Sequence, residues 1–180
     1  TDDPQAVYRT AMVLNAVLGA VAAALLVVLA RRLTGFGPRR AAAAAIAVSA
    51  TPAVVFPAGF VWAESLIAPL YLGSLVALLR FVERPGVRPG LVVAVLCGAG
   101  FATHGRLLPL ALVALVVVAS VTARRRLGVA AAVVVAGAVV AAVLAAQAYT
   151  RWVTAELWEH PAETNSWDGV LAQLTHPWDV

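Results

Sequence analysis

The chain has 180 residues, 62% hydrophobic and 12% charged, with a mean hydropathy of +0.91; soluble domains run near about 45–50% apolar and 25% charged. That composition excludes a soluble globular domain and marks an integral membrane protein. The net charge of +4 comes from 13 basic residues, all arginine, against nine acids. The arginines stand between apolar blocks rather than on a soluble face, so they read as membrane topology and not as a nucleic-acid footprint.

The chain opens on "TDDPQ", without an initiator methionine or a signal-peptide pattern, and is read as a piece of a longer protein. Residues 11–30 form a first apolar block that runs into Arg31 and Arg32. A second, 41–60, follows Arg39 and Arg40 and holds Pro52 and Pro57, which are expected to kink or end its helix. A third, 65–79, ends near Arg80, Arg84 and Arg88. A last one, 127–149, lies behind Arg124, Arg125 and Arg126. Each is near the roughly 20 residues a helix needs to cross about 30 Å of hydrocarbon. The lone Cys97 sits inside an apolar stretch, so neither an intrachain disulfide nor a cysteine-based metal motif is available.

Residues 91–121 are harder to assign. As one span they exceed the usual length of roughly 17–25 residues; as a hairpin broken at "THGR" they keep both ends on one side. The hairpin makes ten arginines cytoplasmic and leaves Arg9, Arg106 and Arg151 outside, in keeping with the positive-inside rule. Of the nine acids only Glu83 then faces the cytoplasm. Arms of 91–103 and 107–121 would reach only about 20–22 Å. The apex is therefore expected below the outer surface, in a cavity that tolerates irregular backbone. Residues 150–180, with four of the five tryptophans, are expected to be a short extracytoplasmic interfacial segment, with one or two short helices. The expected architecture is all-α: a polytopic bundle of about six helical segments over 1–149, in the plasma membrane, with that tail outside.

The apex carries the residues of interest. Arg106 is charged at every relevant pH and costs at least roughly 2.5–3.5 kcal/mol at mid-membrane depth. Its planar fork suits a phosphate or pyrophosphate; the plainer alternatives are an ion pair, as with Glu64, or snorkelling to the interface. His104 offers a donor or proton carrier, or simply caps a broken helix. Thr103 is suited to bonding backbone freed at the break. Glu64, beside Trp62, is a candidate partner of Arg106 or ligand of a divalent metal ion, or an ordinary first-turn acid of the next helix. Asp2 and Asp3 resemble part of a catalytic acid pair, yet "TDDP" also reads as a helix start. Asn15 with Gly19, and Gly98 with Gly100, are expected at close helix contacts.

In order, "YRTAMVLNAVLGAVAAALLVVLARRLTG", "ATPAVVFPAGFVWAESL" and "GAGFATHGRLLPL" resemble the central part of a GT-C-fold glycosyltransferase. That class transfers sugars from polyprenyl-phosphate donors and includes protein mannosyltransferase, aminoarabinose transferase and actinobacterial arabinosyltransferase relatives. The resemblance implies an inverting transfer in which an acidic base in the first outer loop activates an extracytoplasmic acceptor. A basic group, sometimes with a divalent metal ion, would hold the lipid phosphate. Arg106 matches that basic position and Glu64 an acid after the third membrane helix; His104 is the accompanying binding candidate. The base itself would lie upstream of Thr1, so this stretch alone is expected to be inactive. The rival readings are a transporter or flippase, whose broken helices also surround central charges, and a noncatalytic membrane scaffold. The alanine, valine and arginine richness without lysine suggests a high-GC genome such as an actinobacterium's.

Overall fold

A computed structural model describes residues 4–50 and 64–157. Among them there are six α-helices, a single 3-10 turn and no strand. Four helices are long and apolar enough to cross a membrane, and a fifth, shorter one is apolar as well. The protein is an all-α, multi-pass helix bundle. The chain divides into two compact units, Thr1–Leu79 and Arg80–Val180.

In the first unit, α1 (Pro4–Thr34) is longer than its apolar block at both ends. It stops at Gly35, whose φ of +69° is left-handed and whose N–H donates to the Arg31 carbonyl at 3.2 Å, the conformation glycine adopts most cheaply. Three residues later α2 (Pro38–Ser49) starts with proline in its first turn, where the missing N–H costs nothing. The two helices pack through small side chains. Ala41 and Ala45 are buried, and a shallow groove runs between Ala23, Ala24 and Val27 of α1 and Ala42, Ala45 and Ile46 of α2. Asn15 is buried as expected, but Gly19 is not at a close contact: a Cβ there would meet nothing within 4 Å among the described residues. The helix of the second block ends at Ser49, and Pro52 and Pro57 lie outside the described residues. The third block is α3 (Glu64–Glu83), which carries Pro69 in its interior and whose last turn belongs to the second unit.

The second unit settles the hairpin. Its helices are α4 (Val87–Thr103), α5 (Leu108–Ala123) and α6 (Val129–Leu157), with the 3-10 turn Gly105–Leu107 between the first two. Two near-contacts set the direction of α4 against α6. A Cβ on Gly90 would run into the Val135 side chain, 2.7 Å from Cγ1, and one on Gly98 would lie 2.8 Å from Ala142 Cβ. Eight residues along α4 thus match seven along α6, so the two run parallel. At the far end of α5, the Arg126 guanidinium donates to the Glu83 carbonyl just ahead of α4 at 3.1 Å. The end of α5 therefore lies beside the start of α4, and the chain between them goes out and returns.

The small residues of α4 explain the packing. Gly90, Ala94 and Gly98 recur every four residues, and all are buried, forming the stripe that lets membrane helices approach closely. Val135 and Val139 of α6 are fully buried opposite it. Helix α5 closes with a Schellman arrangement, Arg126 N–H to the Val121 carbonyl and Arg125 N–H to Thr122. Arg125, at φ 56°, occupies the left-handed position where glycine is usual. The arms have 17 and 16 residues, about 24–25 Å each. They are longer than the sequence pattern suggests because Val87–Gly90 already belongs to α4 and Thr122 and Ala123 still belong to α5. Helix α6 is longer than its block too, running without a break through Thr150 to Leu157. Residues 158–180, the rest of the expected tail, lie outside the described residues.

Candidate functional site at the hairpin apex

The apex is a one-residue break followed by a tight turn. His104 is extended, at φ −158° and ψ 128°, and its N–H closes the last turn of α4 on the Gly100 carbonyl at 2.9 Å. Its ring then caps the 3-10 turn: the Arg106 backbone N–H donates to His104 Nδ1 at 3.1 Å, and the Leu107 N–H donates to the His104 carbonyl at 3.0 Å. A nitrogen that accepts carries no proton, so the neutral ring holds its hydrogen on Nε2. His104 is half-buried, with Nε2–H left as a donor. Pro109 starts α5 without needing a partner for a missing N–H.

Two packing details hold the turn. Leu107 is buried against Gly100, where a Cβ would come within 3.1 Å of Leu107 Cδ1; this is the close contact expected of that glycine. Gly98 is likewise at a close contact. The Thr103 hydroxyl donates to the Ala99 carbonyl at 2.9 Å. It thus bonds one turn back inside α4 rather than to the carbonyls freed at the break.

Arg106 projects from this turn. It is exposed, and its guanidinium makes no hydrogen bond or ion pair among the described residues. Continuing the α4–α6 register from Gly98 and Ala142 brings the apex level with residues 147–149 of α6. That is about 28 Å from the start of α6, close to the thickness of the hydrocarbon layer. Tyr149 and Trp152 stand there with ring centroids 6.2 Å apart, and both are exposed. Aromatic rings of this kind favour the headgroup level. Arg106 thus stands about 28 Å along the axis from the start of α6, near the level of these rings.

Glu64 is the first residue of α3, in the first unit, and its side chain lies outside the described residues, as do Asp2 and Asp3. Among the described residues no group of three or more His, Cys, Asp or Glu comes together. His104 Nδ1 is already engaged, and a fixed cation stands beside it. The described part of the apex therefore does not fit a metal centre. Sequence reasoning passed over two residues. Gly90 was detectable as the first member of the Gly-x3-Ala-x3-Gly stripe. Gln147 was visible as the one amide in "GAVVAAVLAAQAY"; it is 5% exposed, and its Oε1 is buried without a hydrogen-bond partner.

The family model described as dolichyl-phosphate-mannose-protein mannosyltransferase matches residues 6–150. The chain belongs to that family. It is a multi-pass membrane glycosyltransferase of the mannosyltransferase type, and the family match includes the whole apex. No curated protein and no solved structure matches the chain.

Proposed function

We propose that the hairpin apex binds the phosphate of a polyprenyl-phosphate-linked sugar on the outer face of the plasma membrane, for transfer to an extracytoplasmic acceptor. The observation that carries this reading is the Arg106 guanidinium, without a partner among the described residues and held by a capped turn near the level of an aromatic pair. A lipid phosphate needs a fork of donors at headgroup depth, and its isoprenoid chain needs an apolar flank. Arg106 supplies the fork, with His104 Nε2–H as an additional donor.

The chemistry follows from charge. In an inverting transfer the bond from the sugar's anomeric carbon to the phosphate oxygen breaks as the acceptor oxygen bonds to the opposite face. Negative charge then grows on the departing lipid phosphate. A guanidinium fixed beside it stabilises that charge more in the transition state than in the ground state. The acceptor's proton must go to a base, for which Asp2 and Asp3 are the acidic candidates this reading keeps from the sequence. No step above is routed through a metal.

The test is Arg106→Ala and Arg106→Lys in the full-length protein, assayed for sugar transfer from a polyprenyl-phosphate donor. The alanine variant is expected to express normally and lose transfer. Lysine, a point charge without the fork, should restore only part of it. Unchanged transfer in Arg106→Ala would refute the role.

A further inference from the structure

Gln147 has no role in the reading above, yet it is the most conspicuous polar group of α6. It lies on the buried face of the helix with Val139, Val143 and Ala146. Its Oε1 is completely buried and unpartnered, and no hydrogen bond of its amide occurs among the described residues. An orphan amide in an apolar interior is costly, and leucine or valine would fill the same volume without that cost.

Its level in the bundle is informative. Gly98 of α4 lies against Ala142 of α6, and the two helices run parallel. Five residues further along each are Thr103, the last residue of α4, and Gln147. The amide is thus level with the break that carries His104 and Arg106, within about one 5.4 Å helical turn along the axis.

The hydrogen-bonding chemistry separates the groups at this level. Arg106 and His104 Nε2–H can only donate, which suits the oxygens of a phosphate, an acceptor without donors. The orphaned atom of Gln147 is an acceptor and requires a donor. A hydroxyl is both donor and acceptor, so it satisfies either end of the amide, whereas a phosphate satisfies only the NH2 end. We propose that Gln147 is a substrate-positioning residue that takes a hydroxyl of the donor's sugar while Arg106 takes its phosphate. The proposal rests on the reading of the apex as the donor-phosphate site.

The test uses the full-length protein with two ligands: polyprenyl-phosphate-linked mannose as substrate, and sugar-free polyprenyl phosphate as competitive inhibitor. Gln147→Leu removes both polar atoms at similar volume; Gln147→Met does so on an unbranched chain that repacks easily. Each is expected to raise KM for the sugar donor about tenfold, the size of one lost hydrogen bond to substrate. Inhibition by the sugar-free lipid should be unchanged, and thermal stability in detergent unchanged or higher, because an orphan amide has been removed. An unaltered KM overturns the proposal, as does equal weakening of both ligands. Lower thermal stability in both variants also overturns it, since it would mean that the amide has a structural partner. Arg106→Ala reports separately on the apex: it should weaken both ligands, and if it weakens neither, the phosphate reading fails whatever Gln147 does.

Discussion

The glycines of the second unit make a sharp test, because one substitution, Gly→Ala, should act in opposite directions at two helical positions. In Gly98→Ala the new methyl would lie 2.8 Å from Ala142 Cβ and 3.0 Å from the Ala142 carbonyl oxygen, where unstrained carbon contacts need about 3.5–4.0 Å. The obstruction includes backbone, so α4 and α6 must separate, and overpacking of this kind costs about 1–3 kcal/mol. Removing a glycine from a helix interior returns about 1 kcal/mol. Gly137→Ala, within α6, collects that gain alone, since its Cβ would meet nothing within 4 Å. The two variants should therefore differ by the overpacking cost, about 1–3 kcal/mol, with Gly137→Ala the more stable and above wild type. Reversible unfolding in mild detergent, followed by tryptophan fluorescence, measures both. At Gly90 the nearest obstacles are the Val135 methyls, so Val135→Ala should relieve part of the cost of Gly90→Ala, whereas no side-chain change at Ala142 removes the carbonyl facing Gly98. Equal shifts for Gly98→Ala and Gly137→Ala would refute the close α4–α6 seam, and with it the register that levels Gln147 with the apex.

The remaining predictions concern the apex and the topology. His104→Ala should cost about 1 kcal/mol, the usual worth of a side-chain cap, and lower transfer by letting Arg106 move; His104→Asn, which keeps an acceptor oxygen, should recover most of the stability. A full recovery of stability without recovery of transfer would show that His104 Nε2–H contacts substrate directly. A cysteine introduced at Gly105 should react with an impermeant thiol reagent added outside intact cells, and one replacing Arg125 should not. Labelling of the second from outside would remove the hairpin.

The hairpin was legible in sequence because its evidence is one-dimensional. The arginines near residues 84–88 and 124–126 must lie on one side by charge bias, and a 31-residue apolar run cannot cross once without excess length. The capping role of His104 was legible as an alternative only. Sequence spacing brings the ring near the Arg106 N–H, but the extended backbone that lets Nδ1 accept appears only in three dimensions. Glu64 shows where reading along the chain stops, since adjacency to a helix start says nothing about which charge a side chain meets.

Composition and charge order, then, determined by themselves that this chain is a multi-pass helical membrane protein with a broken hairpin and a cation at its turn. Hydrophobic length and arginine counts act through a bilayer that reads one dimension of the chain. Tertiary structure alone decided that α4 and α6 run parallel through a glycine stripe, that the apex reaches the level of Tyr149 and Trp152, and that Gln147 is left with an orphan acceptor there. Those features depend on which helix faces approach and how closely. Side-chain volumes summed across two helices set that distance, and neither helix's sequence contains it.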